Sequence, residues 1–340
     1  MSTGAADSSF EAQVRDGIRN LVQEVVTVQP GERVLILSEY GRVDRELPDL
    51  IGEAIKQAGG EYQVMWSEGI DPDGRGRPEI LIKAMQAADK VIYNFPAGSV
   101  GQRLVSVVDR FLDKDAGPLR VTNNFCTLEL IASEFARFSG RTTKAIYEWF
   151  EETYSAAHTW RITSPSGTDI RGRIAPVSSR QAILEGMKSP YSTVFPARIH
   201  CPVGSAGASG TIAVDHCAIP PVRIENPPLV RIEDDLVTGV EGGREAEEYR
   251  RALAANAARW GDRANYLDSW HSGLHPYGPN IEGFLGHGCS ARMHMHIGRS
   301  DTYTSAGLKN HSIAIDDAVL LDNGRLVGLD DPEVRRAVGL

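Results

Sequence analysis

Between Arg33 and Phe138 short apolar runs take turns with helical repeats, and this alternation restricts the fold more than any other feature of the chain. Arg33–Ser38, Tyr62–Trp66, Lys90–Asn94 and Leu119–Thr122 have strand length, and the apolar run after Arg33 suits a strand buried on both faces. Phe10, Val14, Ile18, Leu21 and Val25 recur at helical spacing, which predicts a helix from about Ser9 into the Val25–Thr27 region. Further helices are expected over 47–58, 78–87, 100–113 and 128–138, the first of these ended by Gly59-Gly60. Strand and helix in turn imply a parallel sheet covered on both faces, with ligands bound beyond the carboxyl ends of its strands. Ser38-Glu-Tyr-Gly-Arg-Val follows the first strand in place of GxGxxG, and no GxxxxGK[ST] loop is present. This half is therefore expected to be a doubly wound scaffold without a nucleotide site.

A helix over 142–156 leads into a different pattern. His158 to Ile174 reads as two alternating strands about a Ser-Pro-Ser-Gly turn. Strand-like segments follow at 210–214, 222–224 and 229–232, with a turn at Asp234-Asp235 and a strongly charged helix over 244–258. The chain closes with strands at 312–315 and 318–321, and Asp322-Asn-Gly324 is read as their turn. The expected organisation is an α/β domain over 1–156, with a doubly wound parallel sheet. An α+β domain over 157–340, mainly antiparallel, is expected to carry the active site.

With 340 residues, either two domains or one large one can bury a core. The net charge of -9 argues against nucleic-acid binding, which needs basic faces to displace counterions. No apolar run approaches the roughly 20 residues that cross a bilayer, so no membrane role is expected. The first residues carry neither a basic nor an apolar segment, and a cytoplasmic location is the expectation. Cys126, Cys201, Cys217 and Cys289 form no CxxC pair and read as buried thiols.

Chemistry concentrates late in the chain. None of the nine histidines precedes residue 158, and six fall between His271 and His311. Histidine is the commonest metal ligand and titrates near neutral pH. No GxSxG elbow supports a catalytic serine. Trp66, Tyr93, Phe95 and Trp270 could line an aromatic-substrate pocket or simply fill the core.

Several stretches of the second half carry a resemblance. They are Arg161–Ile170, Val194–Pro202, Gly210–Asp215, Ile232–Gly243, Gly273–Pro276, Met295–Gly298 and Leu321–Val327. In this order they resemble the aminopeptidase T family of metallopeptidases, whose superfamily includes the iron-dependent 2,5-dihydroxypyridine 5,6-dioxygenases. The resemblance implies a metalloenzyme with a small-molecule substrate, and a homodimer. It places His296 at the histidine of the family's His-Ile-Ala-Leu-Gly strand and Tyr303 at its active-site tyrosine. The family's Pro-Gly-Gly-Glu segment corresponds to Phe195–His200, so its metal-binding glutamate is missing. His275 stands where the peptidases have asparagine, as an iron site would want. The family's closing His-x-Asp pair falls at Lys309-Asn-His311, or with a shifted alignment at Asp316, so the standard facial site is not intact.

On this reading His275, His296 and His311 are the candidate metal ligands, with Glu282 or Asp316 as possible carboxylates. Fe(II) is the first expectation for the cofactor, for a ring-cleaving dioxygenase acting on a small hydroxylated N-heterocycle or aromatic. Zinc or another divalent ion would serve an aminopeptidase or amide hydrolase. A metal-free member working through Lys309 and the histidines is the third possibility. Lys309 and Tyr303 are the candidate acid/base groups, provided burial lowers the pKa of either. His294, His200 and Glu282 are candidates for touching substrate. His294 and His296 are expected on opposite sides of one strand, so that only one reaches a given pocket. His271, His287, His216 and His158, and in its alternative role His200, are read as structural. Asp169 is read as capping its hairpin.

Overall fold

Leu35, Leu37, Val91 and Tyr93 pack with Leu81, Ile82, Met85 and Phe95 into one buried cluster. The strand residues in it are two apart, as one face of a pleated sheet requires, and the helix residues cover that face. The computed structural model describes residues 3–67, 79–96, 117–175, 192–196, 200–218, 221–222, 224–277, 288–298 and 303–340. They form two compact units, residues 1–144 with 185–198, and 145–184 with 199–340.

The first unit begins with α1 (Thr3–Arg19), whose last turn widens into a π-helical turn at Asn20–Val25. Then come β1 (Arg33–Glu39), α2 (Leu47–Gln57), β2 (Glu61–Ser67), α3 (Glu79–Gln86), β3 (Lys90–Asn94) and β4 (Leu119–Asn123). Two short helices, α4 (Leu128–Ala132) and α5 (Glu134–Arg137), precede the long α6 (Gly140–Ala156). The sheet has the order β2-β1-β3-β4 and ends on β7 (Ser192–Phe195), all parallel. Strand order reverses between β1 and β3, the place where doubly wound sheets open a crevice at their carboxyl ends.

The second unit is built on a ten-stranded antiparallel sheet. Its strands are β5 (Thr159–Thr163), β6 (Asp169–Ala175), β8 (His200–Ala213), β11 (Leu229–Glu233), β12 (Leu236–Glu241), β13 (Leu267–Gly273), β14 (Arg292–Ile297), β15 (Thr304–Lys309), β16 (Ser312–Ile315) and β17 (Ala318–Leu321). The main path runs β15-β14-β13-β8-β6-β5-β16-β17, with β11 on β8 and β12 on β11. The two-residue strands β9 (Cys217–Ala218) and β10 (Pro221–Val222) pair separately. α7 (Arg244–Trp260) and the short α8 (Pro332–Ala337) complete the unit.

An α/β part with a parallel sheet followed by a mainly antiparallel part is the architecture that the residue pattern implies. Three particulars differ. A single division at residue 156 does not follow the chain, because β7 returns to pair with β4 after β5 and β6 are laid down. The expected helix over 128–138 is broken at Ser133, which ends α4 and caps α5 by accepting from the Ala136 amide. The final hairpin turns at Asp316-Asp317, both with positive φ as a two-residue primed turn requires, and not at Asp322–Gly324. The helix expected over 100–113 lies outside the described residues. No helix among the described residues is long and apolar enough to cross a membrane.

β8 is the strand on which the second unit turns. Its first residues, 200–204, pair with β13 and its last, 210–213, with β11. The edge between them would leave backbone donors unmet. Asp235, in the β11–β12 turn, fills this gap. Its carboxylate accepts from the Gly207 amide (2.6 Å), the Ala208 amide (2.8 Å) and the Ser205 hydroxyl (3.0 Å). Its carbonyl accepts from Leu267, the first residue of β13, at 2.7 Å. We expect Asp235→Ala to cost roughly 2–4 kcal/mol, since charge-assisted bonds are lost and donors are left unmet. Urea denaturation of the two chains measures the difference, and an unchanged midpoint would remove Asp235 as the pin of β8 against β13.

Candidate metal centre

Trp270, Met293, Met295 and Ile297 are fully buried. They alternate along β13 and β14 with Ser269, His271, His294 and His296. Trp270 lies opposite Met295, packed edge-on against Trp160 (5.9 Å between centroids) and Tyr154 (5.3 Å). Because side chains alternate with period two, sinking this apolar set into one face sends all three imidazoles to the other. His271 is the direct cross-strand partner of His294, and Ser269 that of His296. His294 and His296 therefore share a face. The expectation that they take opposite sides is corrected by the one residue, Met295, that stands between them.

The three rings form a stack. Centroids are 4.1 Å apart for His271–His296, 4.8 Å for His271–His294 and 5.0 Å for His294–His296. One nitrogen from each lies within 4.8 Å of the others, and the residues are only 7%, 8% and 8% exposed. Among the described residues this is the group of three or more His, Cys, Asp or Glu side chains that could share one ion. Tyr303 lies flat against His296 at 3.6 Å and is half-buried. The Ser269 hydroxyl is 3.3 Å from His271 Nε2, within hydrogen-bond distance of that ring nitrogen. Nitrogens bound to one zinc-like ion lie at most about 4.2 Å apart, so chelation asks only a small inward movement of these rings. Three imidazoles, nearly buried on one face of paired strands, fit a divalent transition ion.

Of the residues proposed from sequence, the structure brings His294, His296 and Tyr303 together, and adds His271. His275 is fully buried elsewhere, its Nδ1 accepting from the Tyr277 amide at 3.1 Å. His311 is also fully buried, with Nε2 at 3.1 Å from the Ser272 hydroxyl. Ser272 follows His271 on β13 and so points to the opposite face, which separates His311 from the three stacked rings. The structure thus does not gather His275, His296 and His311 around one point. Asp316 sits in the hairpin turn, its carboxylate accepting from the amides of Thr159 (2.7 Å) and His158 (3.1 Å), and these bonds lower its pKa. Lys309 ends β15 with an exposed side chain, so the burial invoked for an acid/base role is missing. Asp169 forms an exposed ion pair with Arg161 at 2.8 Å. His200 begins β8 opposite Gly273. Glu282 and His287 lie outside the described residues.

Sequence reasoning passed over His271. The signal for it was polar–apolar alternation, Ser269-Trp-His271 set against His294-Met-His296, read as two strands sharing one wet face.

No family model matches the chain, and no curated protein matches it in sequence. Two solved structures are similar over nearly the whole length. One is a 2,5-dihydroxypyridine dioxygenase from Pseudomonas putida KT2440, with TM-score 0.60 and 15% identity, covering 95% of this chain and 98% of that one. The other is wild-type AmpT from Thermus thermophilus, with TM-score 0.60 and 11% identity, covering 94% and 100%. At these identities the chain shares their fold.

Burial pushes the pKa of His311 down to about 3. The unfolded chain accepts that proton near 6.5, so unfolding is favoured progressively as pH falls from 6.5 towards 3. The contribution is at most about 1.4 kcal/mol per pH unit. In His311→Gln we expect a shallower loss of stability over this window, by close to one proton. Urea midpoints measured from pH 7 to 5 test this, and identical slopes in the two chains would contradict it.

Proposed function

We propose that this chain is a metal-dependent enzyme whose ion is held by His271, His294 and His296. The observation that carries the proposal is the convergence of three nearly buried imidazoles on one face of β13 and β14. Within that class, our first reading is a ring-cleaving dioxygenase acting on a small hydroxylated N-heterocycle or aromatic with Fe(II). The shared fold with a dihydroxypyridine dioxygenase supports it.

A bound ion would supply Lewis acidity and, if iron, oxygen chemistry. The chain's own residues do the rest. The pleat of β13 and β14 holds the three imidazoles on one face, where they would hold the ion. Ser269, within hydrogen-bond distance of His271 Nε2, helps to orient that ring. Tyr303, flat on His296, prevents that ring from turning and offers a hydroxyl as a proton donor or acceptor beside the centre.

A second reading, an aminopeptidase-like or amide hydrolase using zinc, is favoured by the ligand set. Among the described residues the group holds three histidines and no carboxylate, which is a zinc arrangement, whereas the common iron triad includes a carboxylate. The fold shared with AmpT agrees with it.

Metal analysis of protein purified without added salts tests the common part. We expect close to one ion per chain, and for His294→Ala and His296→Ala a loss of affinity larger than the roughly 10–100-fold that removing an outer-shell partner costs. Unchanged metal content in both variants would refute the centre. Oxygen uptake with Fe(II) and 2,5-dihydroxypyridine then supports the first reading. Zinc-dependent release of p-nitroaniline from leucine p-nitroanilide, without oxygen uptake, supports the second.

A further inference from the structure

Gly307, within β15, lies directly opposite His294, one of the three candidate ligands. On its outer side it forms an antiparallel bridge with His216. The Gly307 amide donates to the His216 carbonyl at 2.8 Å, and the amides of His216 (3.2 Å) and Asp215 (2.8 Å) donate to the Gly307 carbonyl. The Asp215 carboxylate accepts from the Lys309 amide at 2.9 Å, which fastens this segment along the outer edge of β15. Both backbone groups of Gly307 are thus turned towards His216. Its pairing with His294 is then the kind without hydrogen bonds, in which side chains approach most closely. Residues opposite one another in an antiparallel sheet share a face. His271, His294, Gly307 and His216 therefore form one row, on the face of the metal centre.

The side chain missing from this row is replaced by a neighbour's. A Cβ at Gly307 would lie within 2.6 Å of Cε1, Nδ1 and Nε2 of His216, so the imidazole leans inward over the glycine. The place it takes is roughly 4.5–5.5 Å from the Cβ of His294, the separation of packed cross-strand neighbours. Gly307 has no positive φ, so it is needed here for space: any larger residue would displace the ring. His294 thus has the His271 ring on one side, at 4.8 Å between centroids, and the His216 ring on the other, across Gly307. Without His216, the glycine would leave a gap into which the His294 ring could turn. An ion would then have to fix a side chain with rotamers to lose, at a cost in entropy.

We propose that His216 is a positioning residue of the metal centre: its ring, seated in the space that Gly307 leaves, holds the His294 imidazole towards His271 and His296. This rests on the metal-binding reading above. His216 does not itself take the ion, because the nitrogens close enough to share one belong, among the described residues, to His271, His294 and His296. It does for His294 what Tyr303, flat on His296, does for that ring.

Calorimetric titration of the EDTA-treated full chain with zinc chloride, and the visible absorption spectrum of its Co(II) form, test the assignment. For His216→Ala we expect zinc affinity about tenfold lower, as loss of an outer partner of a ligand costs, and Co(II) bands shifted from those of the parent. Gly307→Ala, which keeps the imidazole but drives it from its seat, should do the same. Combined, the two changes should cost less than their sum, because both remove one contact. Parental affinity and an unchanged Co(II) spectrum in both single variants would overturn the proposal, even where they melt lower, and leave the three-histidine centre standing. A parent chain that binds neither ion would overturn the metal reading itself, and this proposal with it. Should one variant not fold, the other decides by the same two measurements.

Discussion

Burial of one face of β13 and β14 is the constraint on which the candidate centre depends. Trp270, Met293, Met295 and Ile297 are fully enclosed, and Trp270 reaches the Trp160 and Tyr154 rings behind the sheet. A slip of one residue would expose this set and bury the imidazoles in its place, so the register is strongly specified. The histidines are thus not assembled by attraction to one another. They are left together by the apolar side chains between them, on a face where a stack of four rings, including Tyr303, closes the gap.

The neighbouring strands extend this logic. β8 serves two partners in succession along one edge, and the carboxylate of Asp235 occupies the stretch where neither partner reaches. The same residue bonds the start of β13, so the strand that brings His271 is located by a turn about thirty residues earlier in the chain. In the first unit the sheet is held by the alternation of Leu35, Leu37, Val91 and Tyr93 over α3, with its polar residues gathered at the strand ends. In both units, apolar packing decides the scaffold and polar groups are concentrated where packing stops.

Much of this was readable from residue order. Strand-length apolar runs separated by helical repeats gave a parallel sheet, and hairpin-like segments gave an antiparallel one, because both patterns are local and repeat at fixed periods. The failures were also physical. Asp316-Asp317 and Asp322–Gly324 are both good turn sequences, and only the pairing of Ile315 with Ala318 distinguishes them. Ser133 is a weak interruption in an apolar helix pattern, yet as a cap it ends one helix and begins another. At the site, Lys309-Asn-His311 stood out by position in the chain, but His311 is carried to the far side of β13 by its bond to Ser272.

What residue order determined by itself was the two kinds of sheet and the presence of a histidine-rich segment in the second, since these depend on periodicity and composition. It also contained the shared face of His294 and His296, which follows from their spacing alone. Which other imidazole joins them was decided only in three dimensions. His271 precedes His294 by more than twenty residues, and the Ser269-Trp-His271 alternation marks it as a strand residue without saying which strand it meets. Antiparallel register between β13 and β14, set by the tryptophan and methionines on the reverse face, places His271 beside the pair and leaves His275 elsewhere.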